Sequence, residues 1–133
     1  MKKVVKLLFI GILVMSFVIT VSLADYGEAN RGAVIGGRRF AYGNTISSDK
    51  RTGYARTTGG PNTYNYVYVT FYWKNNSSGQ DGYLWDEVSG AISARIDAPV
   101  LTGYNYYRKA VSNHSGSYDN AQFSENNVTT ITD

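Results

Sequence analysis

The run of residues 63–74, TYNYVYVTFYWK, constrains the fold of this chain more than any other segment. Its residue types are mostly β-branched or aromatic, which favours a pleated sheet over a helix. One parity of the run carries Val67, Val69, Phe71 and Trp73, and the other carries Tyr64, Tyr66, Tyr68 and Tyr72. Because side chains alternate across a strand, the segment predicts one strand with an apolar inner face and a tyrosine-bearing opposite face.

Alternation recurs more weakly elsewhere, for example over residues 103–111, without any helical stretch in the part that follows residue 24. Turn-forming residues at 59–62 and 75–82 mark breaks between strands. Short strands at this spacing predict an all-β fold: an antiparallel β-sandwich or small barrel of about six to eight strands. We expect a single β-rich domain over residues 25–133, with its first part, 25–60, loosely ordered.

The first 24 residues have the pattern of a secretory signal peptide. Three lysines precede an apolar stretch, residues 7–21, and Ser22-Leu23-Ala24 places small residues at positions −3 and −1 of a cleavage site. We predict cleavage between Ala24 and Asp25, no stable membrane anchor afterwards, and a secreted, extracellular protein. The alternative is an uncleaved anchor, because the apolar stretch is close to the length that spans a bilayer.

Charge argues against nucleic acid as a partner. The chain has 13 Lys and Arg against 10 Asp and Glu, a formal net charge of +3. Three of the lysines and none of the acidic residues lie in the predicted signal peptide, so the remaining chain is neutral. Since nucleic-acid binding depends on excess positive charge, we expect no such partner. The chain also has no cysteine, so its core must be stable without disulfides.

No set of residues points to catalysis or metal binding. His114, the only histidine, lies in a polar segment near Asp119 without a nucleophile motif such as Gly-x-Ser-x-Gly, and we expect a surface or turn histidine. Asp86 and Glu87 are adjacent, so in a strand they point to opposite faces and cannot act as a glycosidase pair. One histidine and no cysteine leave zinc without ligands. We predict no catalytic residue, no metal and no cofactor.

The tyrosine face is the candidate binding surface. Its predicted binding residues are Tyr64, Tyr66, Tyr68 and Tyr72 on one strand, with Tyr104 and Tyr106 on a neighbouring one. A flat aromatic surface with hydroxyl tips suits sugar rings, and it equally suits a protein partner because Tyr is frequent at interface hot spots. A purely structural role is the alternative: cross-strand tyrosine pairs stabilise a sheet, and in a two-layer fold they could form half of the core.

Residues 89–99, SGAISARIDAP, followed by residues 108–114, RKAVSNH, resemble small secreted β-proteins of Gram-positive bacteria whose function is unassigned. The same stretch is similar to bacteriocins of the lactococcin-972 type. That resemblance implies a small, signal-bearing, cysteine-free β-sandwich that acts at the cell envelope of related bacteria. It covers the second half of the chain and assigns no functional residue.

Together these features predict a secreted, non-enzymatic binding protein that acts at an extracellular surface through its aromatic sheet face. The expected partner is an extracellular glycan, the cell envelope or a protein. The alternatives are a bacteriocin-like antimicrobial effector and, third, a small hydrolase. Exposed edge strands can pair with another chain, so we expect a monomer or a weak dimer.

Overall fold

The computed structural model describes residues 28–131, which form six β-strands and no helix. The strands are β1 Glu28–Ile35, β2 Arg38–Ile46, β3 Gly53–Asn75, β4 Asp81–Asp97, β5 Asn105–Tyr118 and β6 Ala121–Thr130. All pairings are antiparallel, and the sheet curls into a nearly closed, barrel-like shape. The predicted all-β class is therefore confirmed. The predicted signal peptide, residues 1–24, lies outside the described residues.

The first part of the predicted domain is regular in the structure. Residues 28–60, which we expected to be loosely ordered, form β1, β2 and the start of β3. Within residues 28–131 there is no helix of the length and apolarity that a membrane crossing needs.

The long strand β3 organises the sheet. Along one edge it pairs with β4, from Tyr54 opposite Asp97 to Lys74 opposite Asp81. Its other edge is shared, because β2 pairs with residues 53–58 and β5 pairs with residues 64–75. One strand therefore joins the β1–β2 hairpin and the β5–β6 hairpin to the same β3–β4 ribbon.

The predicted break at residues 59–62 is a bend within β3 rather than an end of the strand. Gly60 and Asn62 have positive φ angles of 83° and 60°, and Pro61 between them has no N–H for the ladder. The register of β3 against β4 shifts at this point, as in a β-bulge. The guanidinium of Arg38 donates to the carbonyl of Pro61 at 2.9 Å. The bend lets β3 change neighbours from β2 to β5 without being interrupted.

Aromatic contacts between the two hairpins help to close the sheet. The ring of Phe40 on β2 meets that of Phe123 on β6 edge to face at 5.1 Å between centroids. Arg38 lies over the ring of Tyr118 at 4.8 Å. Both contacts join residues far apart in sequence, so they form only when the hairpins fold onto each other.

The apolar core lies inside this sheet, where the predicted parity of β3 is buried. Val67, Val69 and Phe71 are almost fully buried, and Trp73 packs against the same cluster. The other buried members of the cluster are Ile46, Ala55, Ala94, Ile96, Ala98, Tyr107 and Ala110. Each large apolar side chain buried here contributes roughly 1.5–3 kcal/mol, which makes this cluster the main source of stability.

Candidate binding face on β3 and β4

The tyrosines of β3 lie on the outer side of the sheet because they have the parity opposite to the core residues. Tyr64 is 56 % exposed, and Tyr66, Tyr68 and Tyr72 are half-buried among their neighbours. The structure brings these four predicted residues together in one row along β3.

Strand β4 adds two aromatic side chains to this row. The register places Tyr83 opposite Tyr72, and Trp85 opposite Thr70. Tyr83 is 64 % exposed and Trp85 is 60 % exposed. We call the set of Tyr64, Tyr66, Tyr68, Tyr72, Tyr83 and Trp85 the aromatic face. Sequence reasoning missed the two β4 members; their signal is the shared parity of Tyr83 and Trp85 directly after the turn that follows β3.

Two ring contacts join the aromatic side chains of β3 to those of β4. Tyr68 and Trp85 stack with their centroids 5.9 Å apart and an interplanar angle of 26°. Tyr72 and Tyr83 meet at 6.2 Å in a tilted arrangement. On the β5 side of β3, Nζ of Lys109 lies 5.7 Å from the ring centroid of Tyr72. The result is a shallow surface of aromatic rings with a cation at one end.

A carboxylate lies in the middle of the aromatic face. The hydroxyl of Tyr66 donates to Oε2 of Glu87 at 2.7 Å, and this hydrogen bond raises the pKa of Tyr66 above its usual range. The phenol therefore stays protonated, and its oxygen keeps an acceptor position free for a ligand. Glu87 is exposed and has a second carboxylate oxygen. The face thus combines flat apolar area with free hydrogen-bond acceptors.

The other two predicted binding residues lie apart from the aromatic face. Tyr104 is in the turn before β5 and 70 % exposed, and the ring of Tyr106 lies 5.6 Å from Nζ of Lys50. With Lys50, Arg51 and Asp49 they line an open, polar cavity of about 270 Å³ whose lining includes none of the β3 tyrosines. The structure therefore separates the six predicted tyrosines into a row of four and a pair.

The charged groups of this cavity already have partners. The guanidinium of Arg51 donates to the carbonyls of Leu101 and Gly103 at 3.2 and 2.8 Å. The hydroxyl of Ser47 donates to the carboxylate of Asp49, and this bond holds the pKa of that carboxyl below its usual range. The cavity therefore offers a ligand less unsatisfied polar surface than its residue types suggest.

His114 is fully buried on β5, in contrast to the surface or turn position that we expected. The reason is a register shift at the start of β5: Lys109 lies opposite Tyr72 while Tyr107 lies opposite Trp73, so Arg108 is an extra residue. The extra residue reverses the alternation, and both Tyr107 and Ala110 face the core. Inward positions then continue at Ser112 and His114, which alternation counted from residue 103 could not predict.

A chain of hydrogen bonds holds the buried imidazole in one tautomer. Asn44 donates to the hydroxyl of Ser112 at 2.6 Å, and that oxygen lies 2.6 Å from Nε2 of His114. On the other side, Nδ1 lies 2.9 Å from the hydroxyl of Thr57, which itself donates to the carbonyl of Tyr66. Because Thr57 uses its one hydroxyl proton on the carbonyl of Tyr66, its oxygen accepts from Nδ1; the proton of the neutral ring therefore lies on Nδ1, and Nε2 accepts from Ser112.

Burial lowers the pKa of His114 to about 4, mainly through desolvation of the charged form. Neither ring nitrogen has a carboxylate as its partner, so the arrangement differs from a Ser-His-Asp triad. Asp119, the nearby acid in sequence, lies exposed in the turn between β5 and β6. Among residues 28–131, no group of three or more His, Asp or Glu side chains could hold a metal ion.

No protein-family model, curated protein or solved structure matches this chain. Fold and site together define an all-β, barrel-like protein with an exposed aromatic face.

Proposed function

We propose that this protein is a secreted, non-enzymatic binding protein whose aromatic face holds an extracellular polysaccharide at a cell surface. The observation that carries the proposal is the outward set of six aromatic side chains on β3 and β4, three of them more than half exposed and four in ring contact across the strands. Covering side chains of this kind with a ligand lowers the free energy of the system. Clusters of exposed apolar groups are typical of interaction sites.

The chemistry of the face favours a sugar over other flat ligands. The apolar side of a pyranose ring can stack on Tyr68 and Trp85, while its hydroxyl groups find the phenol of Tyr66 and the carboxylate of Glu87 within the same surface. A carboxylate at this position would repel the phosphates of a nucleic acid. Shallow geometry suits an extended chain that lies along the strands, because such a chain needs no deep pocket.

A binding role without catalysis is supported by where the reactive side chains lie. His114 is enclosed in the sheet interior by Ser112 and Thr57, away from the outer face. Asp97 is paired with Arg95 at 2.7 Å on the surface. The extracellular setting follows from the signal peptide predicted over residues 1–24.

Co-sedimentation of the purified mature chain, residues 25–133, with Gram-positive cell walls and insoluble polysaccharides tests the proposal. We expect retention on at least one of them and a loss of affinity of roughly thirtyfold in Trp85→Ala, as for the aromatic anchor of an interface. Tyr104→Ala is the matched control, because it removes an equally exposed tyrosine that lies outside the face. Circular dichroism verifies that each variant is folded.

Two results would contradict this proposal. One is failure to bind any of the polymers, and the other is equal loss of affinity in Trp85→Ala and Tyr104→Ala. Failure to bind combined with growth inhibition of related strains would instead favour the bacteriocin-like alternative.

A further inference from the structure

Among residues 28–131, no strand pairs with the edge of β4 that faces away from β3. β4 is 17 residues long and pairs with β3 alone among the described strands. The other two terminal strands of the sheet, β1 and β6, contact each other instead. A long unpaired edge presents a row of free N–H and C=O groups, and such a row is a template for another extended strand.

The hydrogen bonds of the hairpin show which residues of β4 offer these groups. The N–H of Asn75 donates to the carbonyl of Gln80, which assigns the even-numbered residues of β4 to the ladder with β3. The odd-numbered residues therefore point their backbone groups to the free edge. Consistent with this, the N–H of Glu87 bonds to the side chain of its own neighbour, Asp86, at 2.8 Å. The free-edge residues are Tyr83, Trp85, Glu87, Ser89 and Ala91.

The sequence of β4 is complementary to itself in one antiparallel register. With Val88 on a two-fold axis, Glu87 of each copy lies opposite Ser89 of the other, and Trp85 falls in line with Ala91. The paired stretch ends at Ala91, because Ile92 has a positive φ angle of 75° and the register of β4 against β3 shifts there. Moving the axis one residue to Glu87 would place two carboxylates face to face.

We propose that the free edge of β4 binds a second copy of this chain in an antiparallel pair centred on Val88. Each copy then supplies the donors and acceptors that the other lacks, with Glu87 and Ser89 forming the closest hydrogen-bonded pair on either side of the axis. The partner's Ser89 carbonyl replaces the side chain of Asp86 as acceptor for the N–H of Glu87.

This pairing would double the aromatic surface. An antiparallel pair with a residue on its two-fold axis keeps the same face of both strands on one side. The aromatic faces of the two copies therefore adjoin across the new strand pair, with Tyr83 and Trp85 of each copy nearest to it. The pairing itself depends only on β4 and stands whether or not the face binds a glycan.

Charge substitutions at Ser89 test both the pairing and its register. Ser89 is exposed and its side chain has no role in the core. Ser89→Glu places a carboxylate opposite Glu87 of the second copy twice per dimer, and Ser89→Lys places an ammonium there. We expect the dimer dissociation constant to rise roughly two- to thirtyfold in Ser89→Glu and to fall by a similar factor in Ser89→Lys.

A proline at the same position tests the backbone contact. Ser89→Pro removes an N–H that points to the free edge and leaves the ladder with β3 intact, as proline in an edge strand allows. Ser89→Ala is the matched control, because it removes the hydroxyl and keeps the N–H. We expect the alanine variant to dimerise like the parent chain and the proline variant to remain monomeric.

Sedimentation equilibrium of residues 25–133 over a wide concentration range measures all five proteins, and circular dichroism verifies their fold. A parent chain that stays monomeric up to millimolar concentration would overturn the proposal. So would a dimer whose stability shifts in the same direction in Ser89→Glu and Ser89→Lys, since the contact would then lie elsewhere.

Discussion

Lowering the pH from 7 to 5 should destabilise this protein through a single side chain, His114. The imidazole is 0 % exposed, and both of its nitrogens are used by hydroxyl groups in the neutral form. A proton added at Nε2 would meet the hydroxyl proton of Ser112, and turning that hydroxyl would leave it facing the amide of Asn44. The folded state therefore resists protonation, while the unfolded chain does not.

The size of this effect follows from the two pKa values. The folded-state pKa of His114 is about 4, against 6.5 for the ordinary group. Between these values the unfolded state binds more protons, so stability falls as the pH falls, by about 1.4 kcal/mol per pH unit. The contribution is fully present above pH 6.5, and its loss is complete below pH 4 at a total of about 3 kcal/mol. That is a large part of the 5–15 kcal/mol typical of a small domain.

The interval between pH 7 and pH 5 separates His114 from the acidic residues. Asp49 and Asp97 have pKa values lowered below 3.8 by hydrogen bonds from Ser47 and Arg95. A carboxyl group whose pKa is lowered by folding stabilises the protein at pH values above its unfolded-state pKa. That stabilisation is lost only as the pH falls through the folded-state pKa, which lies below this interval. Changes in stability between pH 7 and pH 5 therefore report mainly on the histidine.

Urea unfolding at a series of pH values, followed by tryptophan fluorescence, measures the effect. We expect the free energy of unfolding to drop by about 2 kcal/mol between pH 6.5 and pH 5 in the parent chain. His114→Gln is the control: its amide can still bond to Thr57 and Ser112 but does not titrate, so its stability should be nearly constant there. Parallel curves for the two proteins, or an imidazole NMR titration with its midpoint near 6.5, would refute the reasoning.

Two further substitutions test the packing and the surface charge. In Gly116→Ala the new Cβ would lie 2.5 Å from a ring carbon of Phe40, so we expect a loss of about 1–3 kcal/mol in urea unfolding; Gly32→Ala, with only an ordinary contact at 3.5 Å, should change stability far less. Asp97→Asn breaks an exposed ion pair with Arg95, and we expect less than about 1 kcal/mol by the same measurement. A loss above 2 kcal/mol in that variant would show that the pair is more than a surface contact.

Local alternation was enough to predict β3 and its two faces. Val67, Val69 and Phe71 are buried as their parity requires, because a strand of β-branched and aromatic residues has only two sides. The polar segment around His114 predicted the wrong environment, since residues 112–118 continue β5 and their inward positions, Ser112 and His114, are buried polar side chains. Alternation also could not place Trp85 in the aromatic face, because its neighbour on β3 depends on where the β3–β4 turn closes.

The bend at Gly60 shows a second limit of sequence reasoning. Gly, Pro and Asn at residues 59–62 are typical of a turn that ends a strand. Here the hydrogen bond from Arg38 to Pro61 and the pairing with β4 on both sides of the bend carry the strand through it. Whether such residues end a strand or only bend it depends on contacts with distant segments.

Folding energetics alone do not explain why the aromatic rings lie outside. On β5, facing the interior, Ser112 and His114 occupy positions where a large apolar side chain would contribute roughly 1.5–3 kcal/mol by burial. Across the same sheet, Tyr68 and Trp85 face solvent, where a cross-strand aromatic pair contributes only about 0.2–1 kcal/mol. A chain selected for stability alone would favour the opposite distribution. The excess aromatic surface is accounted for if a ligand covers it, which is the role that the polysaccharide experiment tests.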